Sequence, residues 1–213
     1  MIYVLVVAVR SLRTATVKTH KYSVIILKSI HASECFFYAI FSRMITIEKY
    51  DSLSPAIKET LHHYIQAEFG HIPIVQETTW AQPDWTILQT EDDMIVTFFN
   101  IIERQVLLDG RPSKIAGINN VITPPPFRGK GYSSQALNST TEFLFNELKS
   151  EHALLLCADA MIPFYNRLGW YTVNSTVYIE QPSGRKLWTA NTMLLSPGKA
   201  ITPAVIDLQG TPW

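Results

Sequence analysis

The strongest constraint on the fold is an Asp109-Gly110 dipeptide that stands between two long, largely apolar stretches. Asp-Gly is typical of the two-residue turn of a β-hairpin, because both of its central residues need a positive φ. The pattern predicts one strand over Met94–Leu108 and a returning strand over Ile115–Thr123. An antiparallel hairpin of this length places a β-sheet at the centre of the fold.

Further helices and strands are predicted on both sides of this hairpin. The predicted strands are Met44–Tyr50, Asp84–Gln89, Ala153–Cys157, Trp170–Ile179 and Leu187–Leu195, and the predicted helices run from Ser54 to Gly70, from Ser133 to Ser150 and from Met161 to Leu168. Residues 71–83 are predicted to form a loop. The resulting order, β-α-β-β-β-α-β-α-β-β, predicts an α+β fold with a single mixed sheet and helices on both faces.

Charge divides the chain near Met44. Residues 1–43 contain six basic residues and one acidic residue, Glu34, and they contain no Gly or Pro, whereas the rest of the chain has 12 basic and 17 acidic residues. Three interpretations stay open: a targeting segment, an additional structural piece, or residues translated upstream of a true start at Met44. We favour the third, so the predicted organisation is an extension over 1–43 and one domain over 44–213.

The overall composition excludes several classes of protein. With 47% hydrophobic and 17% charged residues, the 213-residue chain is neither disordered nor a coiled coil. Eighteen basic residues balance eighteen acidic ones, so we expect no nucleic-acid partner. Two cysteines make no disulfide framework, no cluster has metal-ligand spacing, and no apolar run is long enough to span a membrane. We therefore expect a cytoplasmic protein with no metal and no membrane partner.

The segment from Val121 to Ser134 carries the clearest chemical signal. A strand ends, a turn rich in Gly, Arg and Lys follows, and a helix begins. The first backbone N–H groups of a helix have no intrahelical acceptor, and the helix dipole adds partial positive charge there. Arg128 and Lys130 add formal charge. The segment therefore predicts an anion site suited to a pyrophosphate, although it matches neither a Walker A loop nor GxGxxG.

Two motifs in this sequence resemble those of the GNAT acetyltransferases. Arg128-x-x-Gly131-x-Ser133 resembles the family's first motif, Gln/Arg-x-x-Gly-x-Gly/Ala, with Ser in the last small position. Phe164-Tyr-Asn-Arg-Leu-Gly-Trp170 resembles its second motif, Tyr-x-x-x-Gly-aromatic, and the element order from Met44 to about Leu195 matches as well. The resemblance implies a transferase that uses acetyl-CoA as co-substrate.

The resemblance also implies a role for individual positions. Pantetheine is expected along a strand whose backbone is free on one side, and the pyrophosphate is expected at the following turn. The implied coenzyme-binding residues are Val121, Ile122 and Thr123 on the strand, and Arg128, Gly129, Lys130, Gly131, Tyr132 and Ser133 in the turn and at the helix start. Tyr165 matches the tyrosine that protonates the leaving thiolate, so it is the predicted catalytic residue.

Within the family, the sequence is similar to the aminoglycoside 2′-N-acetyltransferases, with departures. Arg128-Gly129-Lys130, the Tyr165 to Trp170 run and Trp213 recur. Those enzymes carry a carboxylate where this chain has Asn119, and an acidic residue where it has Thr79, although Glu77 is close. Asn119 offers no charge to a polycationic sugar, which disfavours an aminoglycoside acceptor. The expected substrate-binding residues are Glu77, Asn119 and Trp213.

The predicted function is transfer of an acetyl group from acetyl-CoA to a primary amine of a small molecule, by direct attack in a ternary complex. The base is left open among Glu77, His71, Glu103, a terminal carboxylate on Trp213 and a chain of water molecules. The alternative is a non-catalytic acyl-CoA-binding domain on the same fold. A small-molecule amine is the expected partner, and a homodimer is compatible with this prediction.

Overall fold

A computed structural model of the protein describes residues 22–24 and 43–213. The strands are β1 (Tyr22–Val24), β2 (Arg43–Lys49), β3 (Trp85–Glu91), β4 (Met94–Leu108), β5 (Arg111–Ile122), β6 (His152–Cys157), β7 (Tyr171–Val173), β8 (Thr176–Gln181), β9 (Gly184–Trp188), β10 (Asn191–Leu195) and β11 (Val205–Asp207). The α-helices are α1 (Pro55–Phe69), α2 (Pro73–Glu77), α3 (Tyr132–Glu142) and α4 (Ile162–Asn166). A π-helical turn over Phe143–Glu147 extends α3.

Eight of the eleven described strands lie in the order β1-β2-β3-β4-β5-β6-β10-β7, and β8, β9 and β11 join the same mixed sheet through the pairing of β11 with β4. Neighbours along this order are antiparallel except β5 and β6, which are parallel. The long β4–β5 hairpin lies at its centre, and both residues of its turn, Asp109 and Gly110, have positive φ as the Asp-Gly signal predicts. The α+β fold with a single mixed sheet is therefore confirmed.

Different elements cover the two faces of the sheet. On one face, α3 and α4 bury Phe99, Ile118 and their neighbours. On the other face, α1 packs over one end of the sheet, against Phe98 and Ile122. The far end of that second face is covered by β8, β11 and the last residues of the chain, which bury Ile102 and its neighbours. The second face therefore has two separate apolar clusters.

The last part of the fold differs from the prediction. The predicted strand Trp170–Ile179 is two strands, β7 and β8, and the predicted strand Leu187–Leu195 is likewise two strands, β9 and β10. The cause is tertiary, because β7 pairs with β10 whereas β8 pairs with β9 and with β11, which joins the sheet at the end of β4. The alternation of apolar and polar residues along a strand does not show where the chain changes from one pairing strand to another. The prediction also missed β11 and the short helix α2 within the loop over residues 71–83.

The extension predicted over residues 1–43 lies outside the described residues, apart from β1 and Arg43. The backbone of β1 pairs antiparallel with β2, with Tyr22 opposite Ile45 and Val24 opposite Arg43. The origin of the extension stays a prediction. Within residues 22–24 and 43–213, no helix is both long enough and apolar enough to cross a membrane.

Candidate active site

The parallel strands β5 and β6 separate before either of them ends. Their register runs from Ile115 opposite His152 to Ile118 opposite Leu155 and continues no further. Beyond this point β5 continues to Ile122 without β6 as a neighbour. We call this opening the β5–β6 gap. Backbone polar groups along such an opening are available to an extended ligand that carries amide groups.

A β-bulge in β5 accounts for the gap. Phe98 of β4 is opposite Ile122 and Asn100 is opposite Asn119, so two residues of β5 face only one of β4. One of the two bulged residues, Asn120, has a φ of 52°, in the left-handed region. A bulge bends its strand and increases the local twist, which here turns the end of β5 away from β6.

The turn after β5 places the N-terminus of α3 at the open end of the gap. Gly129 and Gly131 have φ values of 75° and 80°, which side chains with a Cβ rarely adopt. Gly131 is the N-cap of α3, and no side chain caps this end of the helix. The first intrahelical bond runs from Gln135 N–H to the Gly131 carbonyl, so the amides of the first turn are left for a ligand. This geometry suits an anion.

The two cations of the turn have different surroundings. The Arg128 side chain donates from Nε to the carbonyl oxygen of Thr123 at 3.0 Å and from a terminal nitrogen to Glu68 of α1 at 2.5 Å. It therefore fastens the turn to both β5 and α1. Lys130 forms no ion pair within the described part of the chain, and its ammonium lies 5.6 Å from the centre of the Phe127 ring. Lys130 is the cation that is free to meet an anion.

Hydroxyl groups hold the start of α3 against the sheet. The Thr123 hydroxyl donates to that of Thr97 at 2.9 Å and lies 2.5 Å from that of Ser133. Thr97 in turn donates to the carbonyl oxygen of Ile122 at 2.8 Å. The Ser133 side chain therefore binds the sheet instead of capping its own helix. Sequence analysis missed Thr97 and Glu68, since neither belongs to a motif and both act through tertiary contacts.

Tyr165 lies on α4 beside the end of β6. Its side chain is buried, and its ring packs edge-to-face on Phe164 and Trp170 at centroid distances of 4.9 and 6.1 Å. Burial, followed by the proximity of Cys157 at the end of β6, raises the pKa of Tyr165 well above its ordinary value of 10.0. The phenol is therefore protonated at neutral pH and able to donate a proton.

A row of uncharged polar side chains crosses the other face of the sheet. Thr86, Asn100 and Asn119 lie directly opposite one another on β3, β4 and β5. The Thr86 hydroxyl donates to Oδ1 of Asn100 at 2.8 Å, and Oδ1 of Asn119 is buried with no hydrogen-bond partner among the described residues. The row lies between the two apolar clusters of this face, and Asn119 is the first residue of β5 that has no partner on β6. A buried oxygen without a donor is uncommon in native proteins.

The other predicted substrate and base residues lie apart from one another. Glu77 ends α2 and is exposed, as is His71. Trp213 is 2% exposed, so its indole packs in the core and offers no surface to a substrate. Glu103 accepts a hydrogen bond from Trp85 and pairs with Lys114 at 3.0 Å, three residues beyond Asn100 along β4. Glu103 is thus part of a structural ion pair.

No three His, Cys, Asp or Glu side chains of residues 22–24 and 43–213 lie close enough together to hold a metal ion. The acetyltransferase (GNAT) domain family matches residues 62–173, more than half of the chain.

This protein belongs to the GNAT acetyltransferase family.

Several solved structures have the same fold. The Escherichia coli protein ElaA has a TM-score of 0.51 at 16% identity, over 71% of this chain and 98% of that one. The E. coli GNAT N-acetyltransferase YhbS, solved in complex with CoA, has a TM-score of 0.52 at 12% identity, over 84% of this chain and 93% of that one. A putative N-acetyltransferase from Lactobacillus plantarum has a TM-score of 0.51 at 17% identity, over 72% and 97%. No curated protein matches this GNAT sequence.

Proposed function

We propose that this GNAT protein transfers an acetyl group from acetyl-CoA to a primary amine of a small molecule, by direct attack in a ternary complex. The observation that carries the proposal is the meeting of the β5–β6 gap with the N-terminus of α3. The gap presents strand backbone to an extended arm that contains amides, and the helix start presents N–H groups to a diphosphate. Coenzyme A contains both groups in that order.

The coenzyme contacts follow from this arrangement. Val121, Ile122 and Thr123 line the gap and are assigned to pantetheine. The residues from Arg128 to Ser133 are assigned to the diphosphate: Gly129 and Gly131 shape the turn, the first amides of α3 bind oxygen, and Lys130 supplies charge. Arg128 acts mainly through the contacts that hold the turn in place.

Tyr165 is assigned as the general acid. The neutral amine forms a C–N bond with the acetyl carbonyl carbon, the C–S bond breaks, and the Tyr165 hydroxyl gives its proton to the sulfur. The nitrogen releases one proton to water, and water returns one proton to the Tyr165 phenolate. Because burial raises the pKa of Tyr165, the proton is present throughout the neutral range.

Direct attack is favoured over a covalent acyl-cysteine intermediate. Burial, and then the nearby carboxylate of Asp159, raise the pKa of the Cys157 thiol. An acyl-cysteine route needs a thiolate, and this environment disfavours one.

Asn119 is assigned to the acceptor. Its half-buried side-chain amide can form hydrogen bonds with the acceptor at the edge of the gap. Glu77 is assigned to the same substrate, whereas Trp213 is assigned a supporting role beneath the strands. An aminoglycoside is disfavoured because the polar row at the gap carries no charge for a polycation.

The test is thiol release from acetyl-CoA with a panel of small amines, together with calorimetry of coenzyme A binding. We expect coenzyme A to bind and at least one amine to release thiol. The competing function is a non-catalytic acyl-CoA-binding domain. It is favoured by one observation: the row of Thr86, Asn100 and Asn119 at the gap contains no carboxylate that could act as a base. Binding without thiol release on every amine would favour that alternative, and no binding at all would reject both.

A further inference from the structure

Thr97 lies where the two halves of the candidate coenzyme site meet. It belongs to β4, and its side chain is fully buried. Its hydroxyl oxygen lies 2.8 Å from the carbonyl oxygen of Ile122, the last residue of β5, and 3.4 Å from the hydroxyl oxygen of Ser133 in the first turn of α3. One buried hydroxyl thus contacts both the strand assigned to pantetheine and the helix start assigned to the diphosphate.

The hydroxyl groups of Ser133, Thr123 and Thr97 form a chain of hydrogen bonds with one direction. Thr97 donates to the carbonyl oxygen of Ile122 at 2.8 Å, and Thr123 donates to Thr97 at 2.9 Å. A hydroxyl group has only one proton to donate, so Ser133 must be the donor in its 2.5 Å contact with Thr123. The chain therefore begins at Ser133 on α3 and ends at a backbone carbonyl of β5.

The last bond of this chain fixes the orientation of the free end of β5. Because the Ile122 carbonyl accepts a hydrogen bond from a residue of β4, it faces β4. Successive peptide groups of a strand point to opposite edges, so the carbonyl of Val121 faces the β5–β6 gap. Beyond the bulge, Phe98 opposite Ile122 is the one pair that joins β5 to its neighbours in the described sheet. The Thr97 hydroxyl adds a restraint where strand pairing is weakest.

The first bond of the chain keeps the Ser133 hydroxyl away from the start of its own helix. Serine side chains near a helix N-terminus often bind the free N–H groups there. Here the Ser133 hydroxyl is bound to the sheet, and no side chain among the described residues caps α3. The first N–H groups of α3 therefore keep their capacity to bind an anion. The chain also gives a hydrogen-bond partner to the Ser that occupies the last small position of the first motif.

We propose that Thr97 is a positioning residue for coenzyme A. Its hydroxyl holds the free end of β5 and the first turn of α3 in the arrangement that binds pantetheine and diphosphate together. Thr97 acts through Ile122, Thr123 and Ser133 and does not itself contact the coenzyme. The inference rests on the proposed function for the identity of the ligand, but it is measured by binding and does not depend on the acceptor amine.

The experiment measures the affinity of the full chain for coenzyme A by calorimetry and its stability by unfolding in denaturant. Thr97→Val keeps the shape of the side chain but removes the hydroxyl, whereas Thr97→Ser keeps the hydroxyl. Thr140→Val is the matched control, because Thr140 is also fully buried and its hydroxyl also donates to a backbone carbonyl at 2.8 Å, that of Ala136 within α3. A second ligand, 3′-phosphoadenosine 5′-diphosphate, has the diphosphate of coenzyme A but lacks pantetheine.

Thr97→Val is expected to weaken coenzyme A binding about tenfold, because the loss of a buried hydrogen bond lowers the fraction of molecules in the binding-competent arrangement. Thr97→Ser should bind coenzyme A nearly as tightly as the parent. Thr140→Val should lose stability but keep the affinity of the parent. Thr97→Val should weaken the binding of 3′-phosphoadenosine 5′-diphosphate less than that of coenzyme A, since this ligand makes no use of β5.

Parent-like affinity in Thr97→Val, or an equal loss of affinity in Thr140→Val, would overturn the inference and leave the proposed function standing. Equal losses for the two ligands would contradict the role of Thr97 at β5. If Thr97→Val does not fold, Ser133→Ala decides, because it removes only the first hydroxyl of the chain. It should weaken coenzyme A binding, and parent-like affinity would overturn the inference. A parent that does not bind coenzyme A would reject the proposed function together with the inference.

Discussion

The indole of Trp213 lies directly against the α-carbon of Gly117, so that a Cβ placed at Gly117 would come within 2.2 Å of the ring. The indole N–H also donates to the carbonyl of Leu154, the residue opposite Gly117 on β6, at 3.1 Å. Trp213 therefore contacts both strands at the Gly117–Leu154 pair, next to Ile118–Leu155, the last pair before the gap. This contact supports the point from which β5 and β6 diverge.

Gly117→Ala is expected to destabilise the protein, because the new methyl group and the indole cannot occupy the same space. Overpacking of this kind costs about 1–3 kcal/mol or more, measurable as the free energy of unfolding in denaturant. Gly198→Ala is the control, since a Cβ there meets no atom within 4 Å. In the double variant with Trp213→Val the loss should be less than additive. An additive cycle would contradict direct contact between the two residues.

Gly131→Val is expected to weaken coenzyme A binding, because the substitution disfavours the left-handed backbone that aims the first turn of α3. Gly110→Val is a close match, since both glycines have φ near 80° and neither has an atom within 4 Å of a Cβ. Both variants should lose similar stability. Only Gly131→Val should lose affinity in calorimetry, and equal affinity in the two variants would remove the turn from the coenzyme site.

Tyr165→Phe is expected to lower turnover by about 100-fold or more with little change in coenzyme A affinity, because a phenyl ring keeps the packing but has no proton to give. Because the pKa of Tyr165 is raised above its ordinary value of 10.0, we expect no loss of turnover from deprotonation of Tyr165 up to about pH 10. Steady-state kinetics over pH would measure both effects, with Tyr178→Phe on β8 as the control. Parent-like turnover in Tyr165→Phe would assign the residue to packing alone.

Glu103→Gln is expected to destabilise the protein at neutral pH and to have less effect in acid. Burial by itself would raise the pKa of Glu103, but hydrogen bonds from Trp85 and Lys114 and the charges of Lys114 and Lys49 hold it below its ordinary 4.5. A lowered folded-state pKa stabilises the protein above the unfolded pKa, and this contribution is lost as pH falls through the folded pKa. Unfolding curves of parent and variant should therefore converge below about pH 4. A difference independent of pH would mean that the charge of Glu103 does not matter.

A chain that begins at Met44 is expected to keep the melting temperature and the coenzyme A affinity of the full chain. Among the described residues of the extension, β1 contributes three residues at one edge of the sheet, far in the strand order from β5 and β6. A short edge strand adds little stability. Thermal unfolding and calorimetry on both chains make the comparison. Failure of the shorter chain to fold would show that residues 1–43 belong to the core.

Local patterns in the sequence were enough to predict most elements and the anion-binding turn. Asp109-Gly110 sets the central hairpin because its backbone conformation depends on only two residues. Ser54 accepts a hydrogen bond from Ile57 N–H at the start of α1, an N-cap that short-range spacing also predicts. Gly129 and Gly131 likewise fix the turn before α3 by their own conformational freedom. Each of these features is decided within a few residues of chain.

Only the tertiary structure decided how distant segments meet. The bulge at Asn120 opens the gap, and the lack of a side chain at Gly117 makes room for the Trp213 indole. Arg128 binds Glu68 on α1, 60 residues away in the sequence. The division of the predicted strand Trp170–Ile179 into β7 and β8 follows from their different partners. A sequence pattern reports which face of an element is apolar, but the same pattern fits several partners. The choice among them depends on packing across the whole sheet, and this packing places the row of Thr86, Asn100 and Asn119 beside the gap.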